Sequence, residues 1–425
     1  SGKLGITSGI TLDGTINPDF SQVESDAFQV QVNQRFPVFF SEKRPFFMEG
    51  MGTFNTVHGN NMRTPVHTRR IVDPIWGSKL TGTAGKVTFG VLNALDDRPQ
   101  NVGDRPGITD RNKLTTVGRA TYALRRSDYI GAIVTDTEHA GRRNFVIGGD
   151  LSLRPSEAQS LAVMFLSSRT SLDGDVGANF RSPAEDNTSG AAAAATYSYE
   201  TRRFWSTTQF EHYDRDFQMD TAFYSRTGFT NAWSFAEVNF YPKSTWLQRV
   251  HPFLFGKIGH DEIQGGGEDF VNTGIGFNFT RQGYFEIAHS RGNETWRGQH
   301  FKAGEDIHLF GRAQAVRWLN FYAGFNHGPS TYYDDVNPFQ GKSDSVFLGV
   351  TVQPNQHITQ SIEANTVRFY RADTGVRVYG VDIVNSRTSY QFDKHFLIRF
   401  LAQFDSSAKR VLTDLLASYE LVPGT

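Results

Sequence analysis

The sequence predicts an all-β protein: a closed antiparallel transmembrane β-barrel of about 20 strands, with about 18 to 22 as the range. Three observations carry this expectation. The dominant apolar period along the chain is two. Short connections alternate with connections that are often longer and polar. And 36 Phe, 15 Tyr and 41 Gly occur in a 425-residue chain whose mean hydropathy is only −0.43. Rich aromatic content at low mean hydropathy suits strands that show lipid on one face and water on the other.

The alternation is read directly from the residues. Phe145, Ile147, Gly149, Leu151 and Leu153 share one face, against Asn144, Val146, Asp150 and Ser152. Val346, Leu348 and Val350 oppose Ser345, Phe347 and Thr351, and Phe396, Ile398 and Phe400 oppose Leu397 and Arg399. We therefore expect Phe145, Ile147, Leu151, Val346, Leu348, Val350, Phe396, Ile398 and Phe400 to face lipid. Asp150, on the neighbouring inner face, is expected to tolerate replacement far better than Ile147. Lys3–Ile16 is read as one further strand.

Short turns centre near Ala84, Ser127, Pro155, Arg202, Ser244, Gln282, Val316, Asn355 and Gln391. Between them lie Asp97–Lys113, Ser171–Thr188, Gln218–Gly228, Gln264–Glu268 and Pro329–Lys342, with short connections near Gly141 and Thr374. In bacterial outer-membrane barrels short turns face the periplasm and long loops face outside. Tyr122, Tyr129, Tyr199, Trp205, Tyr241, Trp246, Tyr284 and Trp318 flank the short turns and predict an aromatic girdle at that interface. A β-propeller would show a blade repeat of about 40–50 residues, which is not seen.

The bulk numbers exclude several classes. Lys+Arg total 43 and Asp+Glu 44, so no basic excess favours nucleic acid. No cysteine is present, which removes disulfides, thiolate metal sites and thiol nucleophiles. No apolar run approaches the ~18 residues of a membrane-spanning helix. The sequence holds no G-x-S-x-G elbow, no phosphate-binding G-x-x-x-x-G-K-[ST] loop and no HExxH. Glu211, His212, Asp214 and Asp216, and Asp173 with Asp175, are read as polar loop residues in preference to a Ca²⁺ site, so no metal or other cofactor is expected.

One segment breaks the pattern. Residues 18–65 mix Phe20, Phe28, Phe36, Phe39, Phe40, Phe46 and Phe47 with a dense set of charges. Counting strands back from the turn at Ala84 makes this segment leave from the extracellular rim. So many phenylalanines do not tolerate open water as one patch. A barrel of this size also leaves a lumen wide enough to leak. The segment is therefore expected to fold inward as a plug or constriction. Asp19, Glu24, Asp26, Glu42, Lys43, Arg44 and Glu49 are expected to form ion pairs, with Arg69 and Arg70 as cationic wall partners, because unpaired charge inside protein is costly. A competing register makes Phe28–Val38 a strand. Asp19 with Glu24, or Glu42 with Glu49, are the candidate carboxylate pairs for glycoside hydrolysis, but sequence spacing says nothing about the separation of their carboxyls.

The stretches "LDGTINPDFSQVESD" (Leu12–Asp26) and "FFSEKRPFFMEG" (Phe39–Gly50) resemble the signature of a bacterial outer-membrane barrel family of unassigned function. "TRRIVDPIWGSKLTG" (Thr68–Gly82), "VTFGVLNALDD" (Val87–Asp97) and the terminal "SYELVPGT" extend the resemblance along the chain. Members of that family join an N-terminal carbohydrate-binding module of family-nine type to a C-terminal barrel. The resemblance implies a bacterial outer-membrane location and a single barrel domain over 1–425, in a natural protein longer at both ends. It implies a pore, export or transport channel, or membrane anchor, in contact with outer-membrane lipid. The alternatives are a carbohydrate-binding or carbohydrate-processing surface protein, and a scaffold subunit of a larger envelope complex. Catalysis is disfavoured.

Overall fold

The computed structural model describes every residue except 19, 21–22, 24, 98, 100–111, 126, 140, 173–186 and 420–425. The chain opens on a hairpin, β1 (Gly2–Thr7) and β2 (Ile10–Ile16), followed by an insert over 17–73. The insert holds one short helix, α1 (Pro45–Met48), a three-residue strand, β3 (Met62–Thr64), and 3-10 turns at Met51–Phe54 and Thr68–Arg70. Then come β4 (Pro74–Ala84), β5 (Val87–Asp96), β6 (Lys113–Arg125), β7 (Asp128–His139), β8 (Arg142–Ser156), β9 (Gln159–Leu172), β10 (Asn187–Glu200) and β11 (Phe204–Tyr213). A short strand, β12 (Phe223–Tyr224), precedes β13 (Phe229–Val238), β14 (Leu247–Asp261), β15 (Gly266–Phe279), β16 (Tyr284–Trp296) and β17 (Gln299–Ala303). The chain continues through β18 (Ile307–Val316), β19 (Leu319–Tyr332), β20 (Phe339–Val352), β21 (Ile358–Arg371), β22 (Arg377–Gln391), β23 (Phe396–Asp405) and β24 (Arg410–Tyr419).

Twenty-two of these strands form one sheet of antiparallel neighbours. β3 and β12 pair only with each other. β16 is shared: its outer half pairs β17 and its first half pairs β18. At the two edges β1 pairs β2 and β24 pairs β23, and no described residue pairs β1 with β24. The expected single strand over Lys3–Ile16 is instead a hairpin turning at Ser8–Gly9. Its first arm alternates Leu4 and Ile6 with Lys3, Gly5 and Thr7, but at six residues it is too short to stand out as a separate strand. Phe28–Val38 is not a strand, so the competing register is not adopted.

The two faces of the sheet differ in character, one apolar and exposed, the other polar and buried. One carries Ile130, Ile147, Phe165, Phe210, Leu254, Ile258, Val346, Leu348 and Phe400, all exposed. Phe145, Leu151, Val350, Phe396 and Ile398 are half-buried on that same face. The opposite, inner face carries Thr135, Asp150, Gln209, Glu211, Glu237 and Gln403, all buried.

Asp150 corrects the sequence reading. It is not a tolerant polar wall residue. Its carboxylate lies 2.5 Å from Arg119, with both side chains fully buried. It also accepts bonds from Tyr129 Oη at 3.0 Å and from the Val57 backbone N–H at 3.0 Å.

The inner face of β5–β10 is locally apolar where the insert covers it. Phe46, Phe47, Phe54, Met62 and Val66 pack there with Leu92, Val117, Ile133, Val146, Met164 and Leu166 in one buried cluster. Each fully buried Phe contributes roughly 1.5–3 kcal/mol. The loop between β11 and β13 folds inward too. It adds Phe217, Met219 and Ala222 to the same cluster and clamps the insert through the β3–β12 pair.

Candidate functional site: the insert and the inner wall

The insert touches the inner face at widely separated strands. Val57 N–H donates to Asp150 of β8, Asn60 N–H to Gln209 of β11, and Asn61 N–H to Glu211 of β11. Asn33 donates to the Thr331 carbonyl of β19 at 2.9 Å, Phe28 N–H to Gln403 of β23 at 2.6 Å, and Ser25 Oγ to Asp414 of β24 at 3.2 Å. On the near side Lys79 of β4 donates to the carbonyl of Phe46 at 2.6 Å and to that of Glu49. The side chains among these partners, Lys79, Asp150, Gln209, Glu211, Gln403 and Asp414, alternate with the exposed apolar positions, so period two places them on the inner face.

The predicted ion-pair residues divide into two groups. Asp26, Glu42, Lys43, Arg44 and Arg69 form a clasp within the insert. Arg69 binds Asp26 in a fork at 2.6 and 2.7 Å, and Lys43 lies 3.3 Å from Asp26. Arg44 donates to Glu42 at 2.7 and 2.9 Å, and to the carbonyls of Thr68 and Ile71 at 2.8 Å each. Its guanidinium lies over the Phe47 ring at 4.4 Å. Glu49 stands apart and meets Lys3 of β1 at 2.8 Å, with both side chains exposed.

Arg69 and Arg70 are not wall residues. They lie in the 3-10 turn that ends the insert, and Arg70 donates to the Ala222 carbonyl at 3.1 Å. Asp19 and Glu24 lie outside the described residues.

This clasp is sensitive to acid. Burial opposes charge on Glu42, yet hydrogen bonds from Arg44 and Thr68 together hold its carboxyl down at about 2. His67 packs between the Phe39 and Phe223 rings, with centroids at 5.1 and 5.2 Å. Burial first, then the charge of Arg70, lowers its pKa to about 4. Both pKa values are depressed, so both groups favour the folded insert at neutral pH. The His67 contribution is complete above its ordinary 6.5 and is lost as pH falls toward 4. The Glu42 contribution fades below 4.5 and is gone as pH falls through 2. We expect amide protection of the insert to drop first between about pH 6.5 and 4, and His67→Phe to remove that first step while leaving the lower one. Hydrogen exchange across this range checks it; a variant that keeps the first step contradicts the assignment.

The largest charge cluster was not singled out in the sequence. Arg35 enters the wall among Glu268, to which it donates, Glu294 at 2.7 Å and Asp261 at 3.5 Å. Arg226, from the inward-folded loop, meets Asp261 at 2.6 Å and Glu268 at 2.7 Å. Lys257 lies 3.3 Å from Glu268. Glu294 also accepts from Thr331 Oγ1 at 2.5 Å and Tyr333 Oη at 2.7 Å. Three cations thus meet three carboxylates, and Arg35 is the insert's contribution. The one available signal was that Arg35 is the lone cation between Asp26 and Lys43.

Other expectations resolve by face. Glu211 points inward to Asn61, whereas His212 bonds Thr230 and Asp214 from the other face, so the two do not converge. Asp173 and Asp175 lie outside the described residues. Tyr122, Tyr241, Trp246 and Trp318 are exposed near the short turns, as a girdle requires. Tyr129 and Tyr284 instead point inward, to Asp150 and Glu286, and Trp205 lies on the inner face opposite Glu237.

Residues 2–71 match the Domain of unknown function DUF5916. No curated protein matches the sequence. Among solved structures, the chain is similar to a ferric enterobactin receptor mutant from Pseudomonas aeruginosa (PfeA), solved with enterobactin. That match has a TM-score of 0.52 and 8% identity, over 82% of this chain and 72% of that one. The copper transporter OprC matches at TM-score 0.49 and 10% identity, over 77% of this chain and 64% of that one. The siderophore receptor PirA from Pseudomonas aeruginosa matches at TM-score 0.44 and 10% identity, over 81% of this chain and 80% of that one. The likeness to the enterobactin receptor concerns the fold. The DUF5916 match covers the first hairpin and nearly all of the insert, so it falls on the element that occupies the inner face. The chain thus folds as a large antiparallel sheet like that of an outer-membrane receptor barrel, and its first hairpin and insert match a domain of unassigned function, DUF5916.

Proposed function

We propose that the protein is a transport-type outer-membrane barrel with a closed wall, whose lumen is obstructed by the insert. One observation supports this above the others: the insert bonds inner-face residues from β4 round to β24. A segment reaching strands so far apart in the sheet must cross the space they enclose. The antiparallel order and the lipid-like outer face support closure. β1 and β24 run in the same direction, so antiparallel closure takes an odd number of strands between them. The predominantly polar inner face suits a path for solutes once the insert yields. The insert is tied down by ion pairs and hydrogen bonds as well as by apolar packing. Polar ties of this kind exchange for water more readily than a dry core does.

The test is single-channel conductance in planar bilayers. The intact protein is expected to give no large steady openings. A variant lacking Phe39–Gly50, which removes Glu42, Arg44 and the Phe46–Phe47 anchor, is expected to open discrete steps. A deletion variant that folds and conducts no better than the intact chain overturns the obstruction.

A further inference from the structure

The inner wall away from the insert carries a feature that the obstruction does not use. Barrel interiors are polar as a rule, yet here a line of aromatic rings runs along the inner face from β11 to β20. Trp205 lies 4.8 Å from Phe235, and Phe235 lies 6.0 Å from Phe253. From β14 the line continues through His251 to Tyr284 at 5.8 Å, to Phe310 at 6.0 Å and on to Phe347 at 6.1 Å. The insert does not account for it. On β14, β15 and β16 the described residues of the insert bond Asp261, Glu268 and Glu294, at the opposite ends of those strands from His251 and Tyr284.

The rings lie flat against the wall. A Cβ on Gly324 would come within 2.1 Å of the Phe347 ring, and one on Gly349 within 2.2 Å of Tyr322. The Phe347 and Tyr322 rings therefore rest over the bare backbone of the neighbouring strand. Phe310, Tyr322 and Phe347 are half-buried, consistent with one open face.

The polar groups beside the rings are largely neutral or already matched. Glu237 holds His251 at 3.0 Å, and Glu286 holds the Tyr284 hydroxyl and lies 3.6 Å from His308. A cavity of about 560 Å³ at this level is lined by Phe310 and Tyr322 together with the carboxamides of Asn278, Gln314 and Asn320 and the guanidinium of Arg312. Flat apolar platforms bordered by neutral donors and acceptors suit a ligand with apolar ring faces and hydroxyl edges. A purely apolar ligand would leave the carboxamides without partners.

We propose that this line is a binding track for a chain of pyranose sugars, whose ring faces stack on Phe310, Tyr322 and Phe347. The proposal goes beyond the transport reading and does not depend on the insert moving, because binding is measurable in a barrel that does not conduct. The test uses the full chain in detergent, with maltohexaose, cellohexaose and chitohexaose as probes, read by calorimetry and by tryptophan fluorescence. At least one hexasaccharide is expected to bind saturably, with its monosaccharide about tenfold or more weaker. Phe310→Ala and Tyr322→Ala are each expected to weaken that binding at least about tenfold. Phe285→Ala, on the outward face of β16, is expected to leave it unchanged. Where Phe310→Ala does not fold, Phe310→Leu keeps the volume while removing the stacking face. No saturable binding by any of the three hexasaccharides overturns the proposal, as does equal weakening by Phe285→Ala.

Discussion

Replacing Arg35 with Ala is expected to destabilise the protein by about 3–5 kcal/mol and to loosen the insert selectively. The side chain is almost wholly buried among Asp261, Glu268 and Glu294. Arg226 and Lys257 remain to neutralise Asp261 and Glu268. Glu294 has only the neutral Thr331 and Tyr333 hydroxyls left among these partners. An uncompensated buried carboxylate is the costly outcome, more than the loss of one attraction. Arg35→Lys should recover part of the loss, because a single ammonium cannot fork to two carboxylates as a guanidinium does. Refolding titrations into lipid vesicles measure the cost, and limited proteolysis shows whether cleavage concentrates within 17–73. A loss below about 1 kcal/mol, as for an exposed pair, contradicts the assignment.

Asp150→Ala is expected to cost as much, about 3–5 kcal/mol, since it leaves the fully buried Arg119 without its carboxylate. It also takes the acceptor from Tyr129 Oη and from the Val57 N–H, which ties the insert to β8. Ile147→Arg, three residues away on the lipid face, is expected to cost roughly 2–4 kcal/mol at mid-membrane. The inner substitution is thus the equal of the outer one, the reverse of what alternation alone implies. The double variant Arg119→Met, Asp150→Leu should lie closer to the parent than either single change, because the pair's desolvation is then avoided. A double variant as damaged as Asp150→Ala would show that shape, and not charge, governs this position.

The contrast shows which parts of the fold are legible in a sequence. Lipid constrains every second residue of a strand in the same way, so Ile147, Val346, Leu348 and Phe400 were placed on the outer face from local pattern alone. Turns were legible for a similar reason: the chain must reverse where the apolar run ends. The inner face obeys no such local rule. Val146, Met164 and Leu166 are inward and apolar because Phe46, Phe47 and Phe54, far away in sequence, cover them. Arg35 gave no sign of its three carboxylates, which lie more than two hundred residues downstream. The connection after β11 read as an outer loop, and only the β3–β12 pair shows that it folds onto the insert. Within the insert, the sequence named the charges but not their partners: Glu42 meets Arg44, and Asp26 meets Lys43 and Arg69 of the same insert, not of the wall.

The proposed barrel implies one division: an apolar outer face turned to lipid, and the insert within the wall. Because the chain has no cysteine, single introduced thiols report that division without background. Ile258→Cys, Gln209→Cys and Phe310→Cys sample the exposed outer face, the inner face under Asn60 and the inner face away from the insert. The measurement is their labelling by a membrane-impermeant maleimide in proteoliposomes, with and without Phe39–Gly50. The account predicts no labelling of Ile258→Cys in either background, labelling of Phe310→Cys in both, and labelling of Gln209→Cys only where Phe39–Gly50 is absent. Ready labelling of Ile258→Cys, or of Gln209→Cys with the insert intact, would contradict it.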